Sequence, residues 1–410
     1  MPQAITVRAC TAADWPAFVE NLDVSFGGTM SEEHRTLWER HIDFPKLLAA
    51  EDQGTLVGTA GWIPFGMTVP GGELPVAAVT MVTVRPTHRR RGILRQMLRA
   101  QFDDLHRRGI AAATLWASEA PIYQRFGYGL AYCKGRIDAN PRRCTFLGNP
   151  EPCGQLRLLA EAEALELLPP VYERARLEIP GSFRRPQSWW ETHKVNDPVA
   201  SRHGAGAMVR VAWEQDGVIE GYALYRVQAG WGPDAISTHV LDVLEAIGTT
   251  PIATREIWRY LFSVDLVATV RTHRLHAEHP LFYALEDVRQ LRMTTADGTW
   301  VRLVDATVAL AARTYSAAGT ITFELQDADC PWNAGVWTLE GGPEGGVLRE
   351  ATTAPALRLS AAELSAMYLG TVSCTALVRA GRIDELQTGA AAQADAMFRS
   401  AVAPWCLDDF

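Results

Sequence analysis

In the first 140 residues, stretches with the apolar pattern of strands alternate with stretches in which apolar residues recur at helical spacing. Four stretches are rich in apolar and β-branched residues, which is typical of strands: residues 47–50, 55–62, 77–84 and 111–116. Between the last two, apolar residues recur at helical spacing over Gly92–Arg108, and Gly109 is a suitable helix stop. Strand, helix and strand in that order predict a βαβ unit whose two strands are parallel.

The same order returns further along the chain. A helical pattern over 158–168 is followed by Pro169-Pro170, which predicts an interruption there. Two strand patterns then flank Asp216-Gly217, a sequence that predicts a hairpin turn. A strand at 241–246 and a helix that starts at Pro251 complete the order. This order predicts a second domain of the same fold, without close sequence identity to the first.

The third part of the chain, from about Met293, has a different pattern. Short strand patterns alternate with helical ones, which predicts an α+β domain with an antiparallel sheet and its helices on one side. The strands are predicted at 300–303, 320–325, 335–340 and 357–360, and the helices at 308–315, 361–370 and 393–398. The tail ends in Trp405, Leu407 and Phe410, which favours docking over fraying. The predicted domains are therefore 1–150, 151–290 and 291–410.

Composition limits the function classes. A chain of 410 residues is long enough for two or three domains, and 48% apolar with 21% charged residues excludes wholesale disorder. The formal net charge of -8 leaves no global basic footprint for nucleic acid. An acidic average instead suits small cationic ligands, although it does not locate a site.

Cysteine and histidine spacing gives no indication of a metal. The seven cysteines are odd in number and lack a C-x-x-C pair, which argues against a disulfide framework and a zinc ribbon. His273, His276 and His279 lie three apart, a spacing that suits neither a strand nor a zinc pair, so we expect no metal. No apolar leader or run of about 18 apolar residues is visible, so we expect a cytoplasmic protein without a transmembrane segment. Secretion by another route is left open.

The run from Met81 to Arg95 carries the clearest chemistry. A strand ends, a turn rich in arginine and glycine follows, and an amphipathic helix begins. The first backbone N–H groups of a helix have no partner within it, and the helix dipole is positive at that end. A diphosphate would bind there with help from the arginines. The alternative is a solvated basic turn, but the strand–turn–helix context favours the anion site.

This run resembles motif A of the GNAT superfamily of acetyl-CoA-dependent N-acetyltransferases, whose pattern is Q/R-x-x-G-x-G/A. Arg89, Gly92 and Leu94 occupy its specified positions, and Leu94 departs from the general pattern. Leucine at this position is typical of the Eis (enhanced intracellular survival) family. The chain also resembles that family in its length, in its final phenylalanine and in the motif Ala117-Ser118-Glu119-x-x-Ile122-Tyr123-x-Arg125-Phe126-Gly127-Tyr128-Gly129. The resemblance implies an α/β (α+β) architecture: two tandem GNAT-like domains and a C-terminal domain like a sterol carrier protein.

The resemblance also implies roles for individual residues. The backbone of Val82, Thr83 and Val84 would bind the pantetheine arm of acetyl-CoA. The diphosphate would lie on Arg90, Arg91, Gly92, Ile93, Leu94 and Arg95, and Ser118 and Glu119 would line the same cleft. In the family the general acid is the matching tyrosine, here Tyr123, and the general base is the C-terminal carboxylate, here that of Phe410.

The acceptor site is implied by the same resemblance to lie around the helix at 12–23 and the residues after it. Our candidates are an acidic and aromatic set that would favour polyamines or aminoglycosides: Asp23, Phe26, Trp38, Met81 and Asp409. For Phe26 and Trp38, packing in the core is an equally good interpretation.

The sequence therefore predicts an enzyme that transfers acetyl from acetyl-CoA directly to a primary amine of a polycationic small molecule, such as an aminoglycoside, or to a lysine side chain. Similar proteins are homohexamers, so we expect a trimer of dimers. One alternative is a lipid- or sterol-binding protein that keeps a non-catalytic GNAT scaffold. Another is a GNAT enzyme with a different acyl donor.

Overall fold

The computed structural model describes residues 5–410 and divides the chain into two compact units. One contains the residues up to Tyr132, the short segment Pro180–Phe183, and Gly298–Phe410. The other contains Cys133–Ile179 and Arg184–Asp297. Among the described residues, no helix combines the length and the apolar character needed to cross a membrane.

The first unit is built around a mixed sheet. Its strands, in spatial order, are Thr6–Ala9, Leu48–Asp52, Thr55–Val69, Gly72–Val84, Ala112–Trp116, Thr299–Leu303 and Gly129–Leu130. Neighbours in this order are antiparallel apart from Gly72–Val84 and Ala112–Trp116, which run parallel and are joined by helix Ile93–Arg107. The predicted βαβ unit is confirmed.

Helix Ile93–Arg107 lies on this sheet because one face is apolar. Met97, Leu98, Phe102 and Leu105 on that face are all fully buried. Burying a side chain of this size contributes roughly 1.5–3 kcal/mol. The helices Trp15–Phe26 and Glu32–Glu39 precede the sheet's second strand, and the single-turn helix Ala120–Tyr123 follows the strand Ala112–Trp116.

The C-terminal part of the first unit has its own sheet, with strand order Gly345–Glu350, Gly335–Gly342, Gly319–Gln326, Leu357–Ser360 and Asp384–Glu385. Its helices are Ala306–Ala311, Ala361–Met367, Cys374–Arg379 and Ala390–Phe398. The predicted antiparallel sheet is wrong at one pair: Gly319–Gln326 and Leu357–Ser360 are parallel. After two hairpins the chain crosses the sheet and returns beside its first strand, so the two strands point the same way.

The second unit has a sheet with strand order Thr294–Asp297, Cys133–Ala139, Val267–His276, His239–Gly248, Val218–Gln228, Val209–Gln215 and Gln155–Leu158. Its helices are Glu161–Arg176, Gln187–Trp189, Pro251–Ser263 and Leu281–Ala284. His239–Gly248 and Val267–His276 are parallel and joined by Pro251–Ser263. The second unit therefore repeats the βαβ arrangement of the first.

Helix Glu161–Arg176 runs through Pro169-Pro170, so the predicted interruption is wrong. Proline removes a backbone donor, but its fixed φ is compatible with a helix. Leu168, Val171 and Tyr172 are buried on one side of this helix, and their packing maintains it across the prolines.

The chain passes between the sheets of the two units more than once. Cys133–Ala139 pairs in the second unit's sheet, whereas Thr299–Leu303 returns to the first unit's sheet. The boundaries at residues 150 and 290 stay a prediction.

Candidate active site

Strand Gly72–Val84 is bulged at Met81. Met81 has a φ of 56°, in the left-handed region that non-glycine residues rarely adopt, and the pairing with strand Thr55–Val69 shifts by one residue there. Parallel pairing with Ala112–Trp116 extends only as far as Ala78 opposite Thr114. The backbone of Val82–Val84 is thus separated from Ala112–Trp116, and a wedge between the strands can accept an extended ligand as an added strand.

The arginine-rich turn lies directly after this strand. Gly92 is the N-cap of helix Ile93–Arg107, with a φ of 78°, and the helix's first hydrogen bond runs from Gln96 N to Gly92 O at 3.2 Å. The amides of Ile93, Leu94 and Arg95 precede that bond and lie at the positive end of the helix dipole. The Ile93 side chain is buried in the core, so this residue offers only its backbone to a ligand.

The arginines of the turn have different environments. Arg89 and Arg90 are exposed, whereas Arg91 forms an ion pair with Asp52 at 2.9 Å. The Arg95 guanidinium lies over the Phe126 ring, 5.7 Å from its centroid. All four arginines are exposed, and together with the N–H groups of one helix end they form an arrangement suited to a diphosphate.

Tyr123 lies after the strand on the other side of the wedge. Its side chain is 5% exposed, and its ring meets the Tyr128 ring edge-on with centroids 5.7 Å apart. Ser118 and Glu119, both exposed, form the turn between the strand and Tyr123. Burial raises the pKa of Tyr123 to about 12; a hydrogen bond with Ser118 opposes this shift, and the charge of Glu119 adds to it. The phenol is therefore fully protonated at neutral pH.

The C-terminal tail is docked, which confirms the prediction from its aromatic residues. Trp405 and Leu407 are buried, and Trp405 N donates to Pro180 O at 2.8 Å. Cys406 N donates to the Tyr132 hydroxyl at 3.0 Å. The Phe410 ring packs on Phe183, with centroids 5.4 Å apart.

The tail also reaches the wedge. The Trp116 indole N–H donates to Asp408 O at 2.8 Å. Trp116 is the last residue of strand Ala112–Trp116, and Ser118 and Glu119 follow it. This bond brings the last residues of the chain to the strand end from which the turn toward Tyr123 starts. Asp408 is fully buried, whereas Asp409 is exposed.

A pocket of about 420 Å³ lies on the other side of the bulge. It is lined by four of the five predicted acceptor residues: Asp23, Phe26, Trp38 and Met81. Asp409 is not among the lining residues. Phe26 is 60% exposed, so core packing does not account for it. Trp38 packs partly against the core cluster of Trp15 and Phe18, so for this residue both interpretations apply.

Sequence reasoning missed part of the lining: Leu22, Gly28, Thr29, Met30, His34 and Thr80. Asp23 shapes this segment, because its carboxylate accepts from Met30 N at 2.8 Å and its carbonyl from Gly27 N at 2.9 Å. His34 and Trp38 stand four residues apart on one helix face, and this spacing could have indicated His34.

Within residues 5–410, no group of three or more histidine, cysteine, aspartate or glutamate side chains is arranged to hold a metal ion. His279, the last of the three spaced histidines, is buried, and its Nδ1 accepts from Leu281 N at 3.2 Å. Burial lowers its pKa to about 3, so it is a neutral side chain that supports the turn.

Comparison with known proteins agrees with this architecture. Residues 6–131 and 181–303 match acetyltransferase (GNAT) domain families, and residues 307–407 match a sterol carrier protein domain family. A GCN5-related N-acetyltransferase from Kribbella flavida shares the fold at 21% identity, with a TM-score of 0.78 over 100% of this chain and 99% of that one. The fold is thus two GNAT domains followed by a sterol-carrier-like domain.

Full-length relatives identify the family. An uncharacterised N-acetyltransferase of Streptomyces avermitilis is 38% identical over 98% of this chain and 99% of its own. The N-acetyltransferase Eis of Mycobacterium tuberculosis is 30% identical over 97% and 98%. The crystal structure of Eis1 from Mycobacterium abscessus has a TM-score of 0.84 at 31% identity, covering 99% of this chain and 100% of that one. The chain belongs to the Eis family of GNAT N-acetyltransferases and is an acetyltransferase.

Proposed function

We propose that this enzyme transfers an acetyl group from acetyl-CoA directly to a primary amine of a polycationic small molecule, such as an aminoglycoside, or to a lysine side chain. The observation that carries the proposal is the pocket beside the bulge: one carboxylate, Asp23, stands among the aromatic rings of Phe26 and Trp38, and Met81 joins the pocket to the strand. Such a lining suits an ammonium group through charge and cation–π attraction.

The acetyl donor occupies the wedge. The backbone of Val82, Thr83 and Val84 binds its pantetheine arm like an added strand. The amides at the start of helix Ile93–Arg107 and the arginines from Arg90 to Arg95 hold its diphosphate. Ser118 and Glu119 line the opposite side, where their turn leads to Tyr123. GNAT acetyltransferases take their acetyl group from acetyl-CoA, and this arrangement supports the same donor here.

Tyr123 acts as the general acid. The amine nitrogen bonds to the thioester carbonyl carbon, the carbon–sulfur bond breaks, and the departing thiolate takes the phenol proton. Free thiols have a pKa of about 8.5, so the thiolate becomes a good acceptor only as the bond breaks. Burial raises the pKa of Tyr123 to about 12, so the phenol carries its proton at neutral pH but is a weaker acid than a free thiol. It therefore donates by hydrogen bonding to the sulfur as negative charge develops there, and the proton moves as the bond breaks.

The carboxylate of Phe410 acts as the general base. A terminal carboxyl group titrates near about 3.5, so it is ionised at neutral pH and attracts the ammonium form of the acceptor. The ammonium has no lone pair, so it first gives one proton to the carboxylate, which passes it to solvent. The neutral amine then bonds to the carbonyl carbon, its remaining protons become acidic, and the carboxylate takes one of them. Exchange with solvent then returns a proton to Tyr123 and removes one from Phe410. Asp409, next to it in sequence, adds a second negative charge to the end of the tail.

Two experiments test this function. Calorimetry with acetyl-CoA should show binding, and its absence would remove the proposal. Mass spectrometry after incubation with acetyl-CoA and a panel of aminoglycosides, polyamines and neutral amines should show acetylation of the polycations first. Equal modification of neutral amines would contradict the role of Asp23.

The catalytic role of Tyr123 has its own variant. Tyr123→Phe keeps the ring and its packing on Tyr128 but removes the proton donor. We expect turnover to fall by about 10²–10⁴ while acetyl-CoA affinity stays within about threefold. Equal losses of turnover and affinity would contradict the acid role. Two further expectations are also proposals: a homohexamer, which native mass spectrometry can test, and a cytoplasmic location, which fractionation can test.

A further inference from the structure

A chain of hydrogen bonds, buried at its centre and partly buried at its ends, connects helix Trp15–Phe26 to the bulge at Met81. Arg85 Nε donates to Asn21 Oδ1 at 3.1 Å, and Asn21 Nδ2 donates to Thr83 Oγ1 at 2.5 Å. The hydroxyls of Thr83 and Thr59 are 2.6 Å apart, and Thr59 Oγ1 donates to Met81 O at 2.8 Å. Asn21 and Thr59 are fully buried, and Thr83 is 6% exposed.

Counting protons fixes the direction of every hydrogen bond in this series. A hydroxyl has one proton, and that of Thr59 goes to Met81 O, so Thr59 must accept at its contact with Thr83. Thr83 therefore donates to Thr59 and accepts from Asn21. Every bond thus points from the Arg85 guanidinium toward the Met81 carbonyl, and hydrogen bonds aligned in this way polarise and strengthen one another.

The end of this chain is the strained residue of the strand. A left-handed methionine persists only where its surroundings over-determine it. The Met81 carbonyl is held by Thr59, a residue of the neighbouring strand at the position where the pairing shifts. At its other end the chain contacts the helix that carries Leu22 and Asp23 of the pocket.

We propose that Asn21, Thr83 and Thr59 are positioning residues that fix the bulge at Met81. They hold the Met81 side chain at the acceptor pocket while Val82–Val84 remain open to the acetyl donor, and so they set the distance between the two substrates. This inference rests on the proposed function, because it assigns the pocket to the amine and the wedge to the donor. The side chains themselves touch neither substrate.

The central test is Thr59→Val, which keeps the shape of the side chain and removes the donor to Met81 O. We expect kcat to fall by more than about tenfold, because small misplacements of reacting groups are costly. The affinity for acetyl-CoA should fall less than kcat does, since the arginine turn that holds the diphosphate is unchanged while the backbone of Val82–Val84 shifts with the bulge. Thr59→Ser restores the donor and should recover most of the turnover.

The chain offers a matched control. Thr114 is also fully buried in a strand of the same sheet, but its hydroxyl has no hydrogen-bond partner. Thr114→Val therefore makes the same chemical change in the same core without breaking a bond, and should keep kcat close to that of the wild type. Equal losses in Thr59→Val and Thr114→Val would overturn the positioning role.

Asn21→Asp tests the direction of these hydrogen bonds. Aspartate can still accept from Arg85 but cannot donate to Thr83, whose proton would turn toward the carboxylate. We expect turnover between those of Thr59→Ser and Thr59→Val, with a melting temperature near the wild type. Turnover equal to the wild type in both Asn21→Asp and Thr59→Val would overturn the inference.

Crystal structures separate this inference from the proposed function. If the wild type acetylates no amine, the proposed function fails, and the backbone of the variants still decides the inference. We expect Met81 to leave its positive φ in Thr59→Val and to retain it in Thr59→Ser. A left-handed Met81 in Thr59→Val would overturn the role of Thr59 whatever the activity.

Discussion

The proposed base can be removed without changing a side chain. Two glycines added after Phe410 convert its carboxylate into a neutral amide. The bonds that dock the tail come from Trp405, Cys406 and Asp408, all upstream of the change. Asp409 is exposed and Phe410 partly exposed, so appended residues can continue toward solvent.

The expected magnitudes separate catalysis from docking. The upstream bonds, each worth about 1 kcal/mol, should remain, so the free energy of unfolding should change by less than about 1 kcal/mol. Loss of a general base typically costs about 10²–10⁴ in rate, or roughly 2.7–5.4 kcal/mol of barrier. The extended protein should therefore fold and bind acetyl-CoA but transfer acetyl at less than about 1% of the normal rate.

The matched control is Phe410→Leu, which keeps the terminal carboxylate and removes the ring. This variant loses only the ring contact with Phe183, and an aromatic pair is worth about 0.5–1.5 kcal/mol. Its rate of acetyl transfer should therefore fall by roughly tenfold at most. Initial rates follow from the free thiol of coenzyme A released by each variant. An extended protein as active as Phe410→Leu would refute the terminal base.

Three other predictions follow from the same geometry. A general acid must be protonated, and burial raises the pKa of Tyr123 to about 12. We therefore expect kcat to stay level from about pH 8 to 10.5 and to fall as the pH approaches about 12. A fall in kcat centred near pH 10 that is missing in Tyr123→Phe would contradict this. Asp23→Asn keeps an acceptor for Met30 N but loses the charge, so KM for a polycation should rise about tenfold while KM for a neutral amine is unchanged. Arg302→Met leaves Asp327 buried without its cation, so chemical denaturation should show a free energy of unfolding lower by about 3–5 kcal/mol. The double variant Arg302→Met with Asp327→Leu should lose less of the free energy of unfolding than the single variant.

Local patterns in the sequence were enough to predict the parallel strands and the helix between them. Each of these elements is defined by the period of its own residues, and βαβ connections leave little topological choice. Strand Thr299–Leu303 was predicted as a strand but assigned to the wrong sheet. Its partner Ala112–Trp116 is far away in sequence, and no local period encodes that pairing.

The candidate site likewise has parts that the sequence could predict and parts that it could not. The arginine turn and Tyr123 lie in short motifs, so their neighbourhood could be predicted from the sequence. The bulge at Met81 could not, because no glycine marks the left-handed position. Its support comes from Asn21 and Thr59, which approach Met81 only in the folded chain.

In the proposed function the two substrates are recognised by different parts of the chain, and this difference has a consequence for specificity. The donor side consists mostly of backbone: a strand edge and a helix start, which meet a ligand chiefly through N–H and C=O groups. The acceptor side consists of residues on helices Trp15–Phe26 and Glu32–Glu39, on the loop between them, and of Thr80 and Met81. Every residue of Glu32–Glu39 keeps some exposure to solvent. Substitutions there remove few core contacts, so they change stability little. We therefore expect substitutions in helix Glu32–Glu39 to change the range of amines accepted, while the wedge continues to bind the same donor.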